Sequence, residues 1–137
     1  RETLSHRVRR DRLREDVVSM RQKMRKELDR SGTAVFDLKH GQGGIGDIEF
    51  LVQYLVLREA ENHPDVTVYS DNIRQLDALI AASVLDYAVG SQLQDIYRDY
   101  RLCLHRQVLD GRNAICDIGQ FVDEREFVGT LWDDWLG

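Results

Sequence analysis

The stretch Phe36-Asp37-Leu38-Lys39-His40-Gly41-Gln42-Gly43-Gly44-Ile45-Gly46-Asp47-Ile48-Glu49-Phe50 decides how the rest of the chain is read. It sets a glycine-rich turn directly before a strongly apolar segment, with Lys39 on one side of the turn and Asp47 and Glu49 on the other. Such a turn leaves backbone N–H groups bare beside the positive end of a helix dipole, which suits a phosphate or a carboxylate. The glycine spacing matches neither the P-loop nor the dinucleotide fingerprint, and no strand–helix–strand unit surrounds it. In the plainer reading, Gly41, Gly43 and Gly44 permit unusual backbone angles and Asp47 caps the helix.

After the turn the pattern predicts a helix from Asp47 to about Glu61. Ile48, Leu51, Val52 and Leu55 form one apolar face, and Phe50, Tyr54 and Leu57 form another. A helix apolar on so much of its girth belongs at the centre of a bundle. On the other side of the turn, Ala34 to Leu38 reads as extended. Residues 2–30 lack Gly and Pro, and Val17, Met20, Met24 and Leu28 make one stripe on a long first helix that Ser31-Gly32 ends.

Further along, Asn62-His63-Pro64-Asp65 breaks the second helix, and Ser70-Asp71-Asn72 offers N-cap side chains for a helix to about Ser83, with Ile73, Leu76, Leu79 and Ile80 inward. A connector is expected near Asp86 to Gly90. A fourth long helix then runs from Gln92 to Asp110, with Leu93, Ile96, Tyr97, Tyr100, Leu104 and Val108 at helical spacing and Gly111 as its stop. Ala114 to Gln120 reads as a loop, and Phe121 to Leu136 as a last helix with Phe121, Val128, Leu131, Trp132 and Trp135 inward. The expected fold is all-α: a mostly up-and-down bundle of four to five helices with a glycine-rich loop between the first and second.

A chain of 137 residues with 42% hydrophobic content buries one core, so a single domain spanning 1–137 is expected. The chain starts without Met inside a helical pattern, which reads as a piece of a longer protein. The net charge of −5 hides an asymmetry: residues 1–30 carry 11 Lys/Arg against 6 Asp/Glu, and the remainder carries 8 against 18. Acids interleave the basic helix and stacking aromatics are missing, so its inner contacts are expected with acidic neighbours in the domain, and nucleic acid is not an expected partner. No apolar run approaches the roughly 20 residues that span a membrane, and no signal-peptide pattern opens the chain; a cytoplasmic protein without membrane contact is expected. Cys103 and Cys116 give neither metal spacing nor a disulfide framework and read as small buried apolar residues.

Asp47 and Glu49 sit two apart at a helix start, do not share a face, and make poor joint ligands, so no metal site is assigned. Glu49 is an acid in the most apolar helix and needs a cationic partner, either an arginine of the first helix or one outside the chain. His6, His40, His63 and His105 are scattered and read as solvent-facing or capping groups. No Ser/His/Asp or Cys/His spacing stands out, and no residue is assigned a catalytic role. Trp132 and Trp135, three apart, read as core or interface aromatics.

Phe36-Asp37-Leu38-Lys39, Gly43-Gly44-Ile45-x-Asp47-Ile48-Glu49-Phe50, Gln53-Tyr54-Leu55-Val56-Leu57-Arg58 and Ser70-Asp71-Asn72-Ile73-Arg74, taken in order, resemble the helical domain of bacterial glutamine synthetase adenylyltransferase. Met20-Arg21-x-Lys23-Met24-Arg25 and the final Glu124-Arg125-Glu126-Phe127-Val128 to Trp132-x-x-Trp135-Leu136 are similar to the carboxy-terminal, adenylylating half of that enzyme. The likeness covers the chain from about Val17. The uridylyltransferase of the PII signal protein shares this domain type.

The resemblance implies a parent enzyme that moves AMP from ATP to a tyrosine of glutamine synthetase, with Mg²⁺ and ATP held in an upstream nucleotidyltransferase domain and none bound tightly by this piece. The family's Gly-Ser…Asp-x-Asp motif is missing: Gly90-Ser91 is the only Gly-Ser, lies in a helical segment and lacks the second acid, so the piece alone is expected to be inactive. On this reading Lys39 and the N–H groups of Gly41, Gly43 and Gly44 approach nucleotide phosphate, while Asp47 and Glu49 pair with arginines across the interface to the upstream domain. The competing expectations are a non-catalytic module that docks the PII protein or glutamine synthetase through its acidic faces, and the equivalent domain of a PII uridylyltransferase.

Overall fold

A computed structural model describes residues 4–60, 62, 63 and 71–137, with side chains from Asp11 onward. Among these the elements are α1 (Leu4–Leu28), β1 (Val35–Asp37), α2 (Ile45–Glu59), α3 (Asn72–Ala81), α4 (Tyr87–Leu109), β2 (Ile115–Asp117) and α5 (Val122–Leu136). The fold is largely all-α, as expected. The first residues of the expected first helix, the Glu61 end of the second, the Pro64-Asp65 break, Ser70 and the His6 side chain lie outside the described residues.

α2 is the central element and packs against α1, α3, α4 and α5. Its all-round apolar character explains this: Ile48, Leu51, Val52 and Leu55 are fully buried, and Ile45, Tyr54 and Val56 nearly so. Water removed from these side chains is the main stabilising term, and shortening any one of the leucines to alanine costs about 2–5 kcal/mol. Leu57, expected on the second inner face, is half exposed.

The α1 stripe is rotated from its expected position. Leu13, Val17 and Val18 pack on the core, while Met20 and Leu28 are exposed. The inner line of the helix continues instead through Arg21, which is fully buried. Apolar spacing alone misplaces this face because the residue at its middle is charged.

One further boundary differs. The expected connector near Asp86 to Gly90 is already helix: Asp86 caps α4 by accepting from the Ala88 N–H at 3.0 Å, and Gly90 is buried against Ile80 of α3. A side chain at Gly90 would meet Ile80, so this glycine serves close helix packing and not a bend. The actual link is the short turn through Ser83 and Val84. Gly111, with φ +71°, ends α4 as expected.

The expected loop at Ala114 to Gln120 contains β2, which pairs antiparallel with β1 in the register Val35↔Asp117, Phe36↔Cys116, Asp37↔Ile115. The Leu38 N–H donates to Ala114 O and the Ile118 N–H to Ala34 O, extending the ladder at both ends. This small sheet ties the α1–α2 connection to the α4–α5 connection and so fixes where the glycine turn stands.

Candidate functional site: the glycine turn and the Lys39 cavity

Two aspartates hold the turn. Asp37, at the end of β1, accepts from the Lys39 and His40 N–H groups through Oδ1, both at 3.0 Å, and from the Arg30 N–H through Oδ2 at 3.1 Å. Asp47, in the first turn of α2, accepts from Arg21 Nε at 2.6 Å and Arg25 Nη2 at 2.5 Å on Oδ1, and from the Gly43 N–H at 2.8 Å on Oδ2. The last contact is the reach-back of a third helical residue onto the chain before the helix, here made by an aspartate. Arg21 also donates to His40 O at 2.9 Å, and the Tyr100 hydroxyl donates to Gly43 O at 2.8 Å.

This corrects the expected role of Asp47. It is nearly closed to solvent and pairs with two arginines of α1 inside the chain, so it is not exposed to an upstream domain. Sequence reasoning had offered a helix-one arginine to Glu49; the structure gives two of them to Asp47. The signal was present in Arg21 and Arg25, four apart on the inner side of a helix, where buried guanidinium needs an acid.

The glycine amides are also committed. The Gly41 N–H donates to Asp37 O at 2.7 Å, that of Gly43 to Asp47, and that of Gly44 to Gly41 O at 3.0 Å. The next two, Ile45 and Gly46, donate to Leu38 O and Lys39 O. The bare N–H groups expected at this helix start are therefore spent on the turn itself, and these glycines do not form an open phosphate cradle. Gly43 has φ +82°, and a side chain there would run into the Arg125 backbone, so glycine is required at that position.

What the turn presents outward is Lys39 and Glu49, both exposed and neither in an ion pair among the described residues. Desolvation raises the Glu49 carboxyl above its ordinary value, opposed by the charges of Lys39, Arg21 and Arg101. Lys39 and His40 line a cavity of about 410 Å³ with Arg30, Arg112 and an apolar floor that includes Leu28 and Leu104. Burial lowers the His40 imidazole, with Asp37 opposing and Arg21 and Lys39 assisting, and its Nδ1 is buried without a partner. The sequence did not indicate that Arg30 and Arg112 join Lys39, because Arg112 arrives through the β1–β2 pairing from the far end of α4.

The residues do not fit a divalent cation. Among the described residues no three His, Cys, Asp or Glu side chains are grouped for a metal, and the oxygens of Asp37 and Asp47 are occupied by amides and guanidinium groups. The Lys39 cavity is lined by Arg30, Lys39 and Arg112 together with Asp37, and Arg112 is itself paired with Asp110 at 3.0 Å. Trp135 is half-buried with the Arg58 guanidinium 5.1 Å above its ring, and Cys116 is buried while Cys103 is half-buried, both thiols free. No described helix is long and apolar enough to cross a membrane.

A family model described as GlnD PII-uridylyltransferase matches residues 12–114. The chain is also similar to proteins named bifunctional glutamine synthetase adenylyltransferase/adenylyl-removing enzyme. It is 47% identical to that of Nitrosococcus oceani and 42% to that of Thioalkalivibrio sulfidiphilus, each over 90% of this chain and 13% of the relative. For Pseudomonas putida the identity is 36% over 90% of this chain and 14% of the relative. The chain thus spans about an eighth of the length of these relatives. With the matched region running from α1 through α4 and holding the whole turn, this chain belongs to the GlnD PII-uridylyltransferase family.

Proposed function

We propose that this chain is the helical accessory unit of a protein adenylyltransferase that moves AMP from ATP to a tyrosine hydroxyl of glutamine synthetase in the cytoplasm. The transfer and its Mg²⁺ chemistry belong to an upstream nucleotidyltransferase domain; in the turn itself the Asp37 and Asp47 carboxylates are taken up by backbone amides and arginines. The helical unit packs against that domain and contributes charge at the nucleotide site. The observation that carries this reading is the division of labour in the turn: Asp37 and Asp47 face inward and fix the backbone, while Lys39 and Glu49 are exposed on that fixed frame, neither in an ion pair among the described residues. Holding an exposed lysine on a pre-ordered turn lowers the entropy cost of meeting a phosphate, and Glu49 is placed for an arginine of the neighbouring domain.

The test is AMP transfer to glutamine synthetase by the full-length enzyme, comparing wild type with Lys39→Ala and Glu49→Gln at equal melting temperature. A fall of about tenfold or more for either variant, the loss of one charged contact, supports the reading. Unchanged rates for both overturn the role of the turn. Unchanged transfer with lost response to PII protein would favour the docking module instead.

A further inference from the structure

The inner faces of α1 and α4 both run past the core beside the glycine turn. On α4, Leu93, Tyr97 and Tyr100 are buried, but Leu104, next on the same line, is half-buried and Val108 is 72% exposed. On α1, Leu28 lies two turns after the buried Arg21, on the same side of the helix, and is 45% exposed. Leu28, Leu104 and Val108 nonetheless line one concavity, the cavity of about 410 Å³ that Lys39 borders. Water is thus left on aliphatic side chains of two helices that share one space, and a joint apolar surface of this kind marks a contact site.

Charge at the rim restricts what covers that surface. Arg30 and Lys39 are exposed and in no ion pair among the described residues, while Arg112 is neutralised by Asp110. The one carboxylate in the wall, Asp37, is 3% exposed and its oxygens take three backbone N–H groups, so it is turned to the chain and screens the two free cations little. The opening is therefore positive around an apolar floor. A small inorganic anion gains nothing from the aliphatic side chains, and the lining holds no Phe, Tyr or Trp on which a nucleic-acid base could stack. A helix with aliphatic residues one turn apart and carboxylates beside them meets both features, the first entering the concavity and the second reaching Arg30 and Lys39. We propose that this groove between the ends of α1 and α4 docks an acidic amphipathic helix of a partner protein. Leu28, Leu104, Val108 and Arg30 carry the assignment, which stands apart from any contact of Lys39 with nucleotide.

The probe is a synthetic helix with leucines at positions i, i+4 and i+7 and glutamates flanking them, titrated into the isotope-labelled chain while the methyl groups of Leu28, Leu104 and Val108 are followed by NMR. The expected result is a saturable shift at all three residues that weakens with added salt, and binding about tenfold weaker when the glutamates are replaced by lysines. Val108→Asp, at an exposed position outside the turn, should weaken the glutamate peptide about tenfold, and Arg30→Ala, also exposed, about fivefold. Equal binding of the two peptides, an indifferent Val108→Asp variant or no saturable shift would each overturn the proposal. The same methyl shifts on concentrating the chain alone would place a second copy in the groove and overturn it too, as would shifts with phosphatidylglycerol vesicles and none with the peptide.

Discussion

Arg21 and Asp47, 26 residues apart in sequence, meet through a 2.6 Å Nε–Oδ1 contact with the two side chains 0% and 2% exposed. The carboxylate serves Arg25 and the Gly43 amide as well, so a single side chain joins α1, the turn and α2. Removing one partner of such a group leaves buried charge uncompensated, which costs more than the pair itself contributes. Asp47→Asn should therefore lose about 3–5 kcal/mol in chemical denaturation. A loss under about 1 kcal/mol would show that the arginines find water instead, and that the network is not what holds the turn.

Tyr100 tests the same turn from the α4 side. Its hydroxyl is buried and donates to Gly43 O, and desolvation raises its ionisation well above the ordinary tyrosine value, so it stays a neutral donor over the working pH range. Tyr100→Phe leaves that carbonyl without a partner while keeping the ring against Phe121. The expected loss is about 1–3 kcal/mol with an unchanged denaturant slope; a neutral substitution would mean the carbonyl is satisfied in another way.

Much of this was legible beforehand. The α2 core residues Ile48, Leu51, Val52 and Leu55 follow from period alone, because each carries no polar atom and one helix face suffices to bury it. The pairing of Val35–Asp37 with Ile115–Asp117 was not legible, since three-residue strands from distant segments leave no periodic trace. The inward turn of Arg21 escaped for a different reason: charge spacing marks the solvated side of a helix unless an acid elsewhere claims it. At the candidate site, the company of Lys39 and Glu49 in the turn singles them out in the sequence, and the structure leaves both exposed. The commitment of the glycine amides to Asp37 O, Asp47 and Gly41 O depends on backbone angles that residue identities do not specify.

Gly43 gives a sharper version of the backbone argument. At φ +82° any side chain is strained, and a Cβ would lie 2.5 Å from Arg125 O, a backbone atom that cannot swing aside. Left-handed strain alone is about 1–2 kcal/mol, so Gly43→Ala should lose at least about 2 kcal/mol. Gly119→Ala, with open space around it, should stay within about 0.5 kcal/mol. If the two variants denature alike, the turn rearranges more freely than its contacts indicate.

Glu49 should make stability depend on pH in the direction opposite to a salt-bridged acid. Its carboxyl is raised in the folded state, so between the ordinary value of 4.5 and the folded one the native chain holds more proton than the unfolded chain. Stability contributed by this residue is thus present at low pH and lost as pH rises through that window. Glu49→Gln should melt with wild type below pH 4.5 and slightly above it at neutral pH. Melting temperatures of both proteins across that range provide the check, and a variant less stable than wild type at neutral pH would mean that Lys39, Arg21 and Arg101 already outweigh the desolvation. In the full-length enzyme the sign should reverse if an arginine of the neighbouring domain meets Glu49: the carboxyl then ionises more easily than in the unfolded chain, and Glu49→Gln becomes the less stable protein at neutral pH.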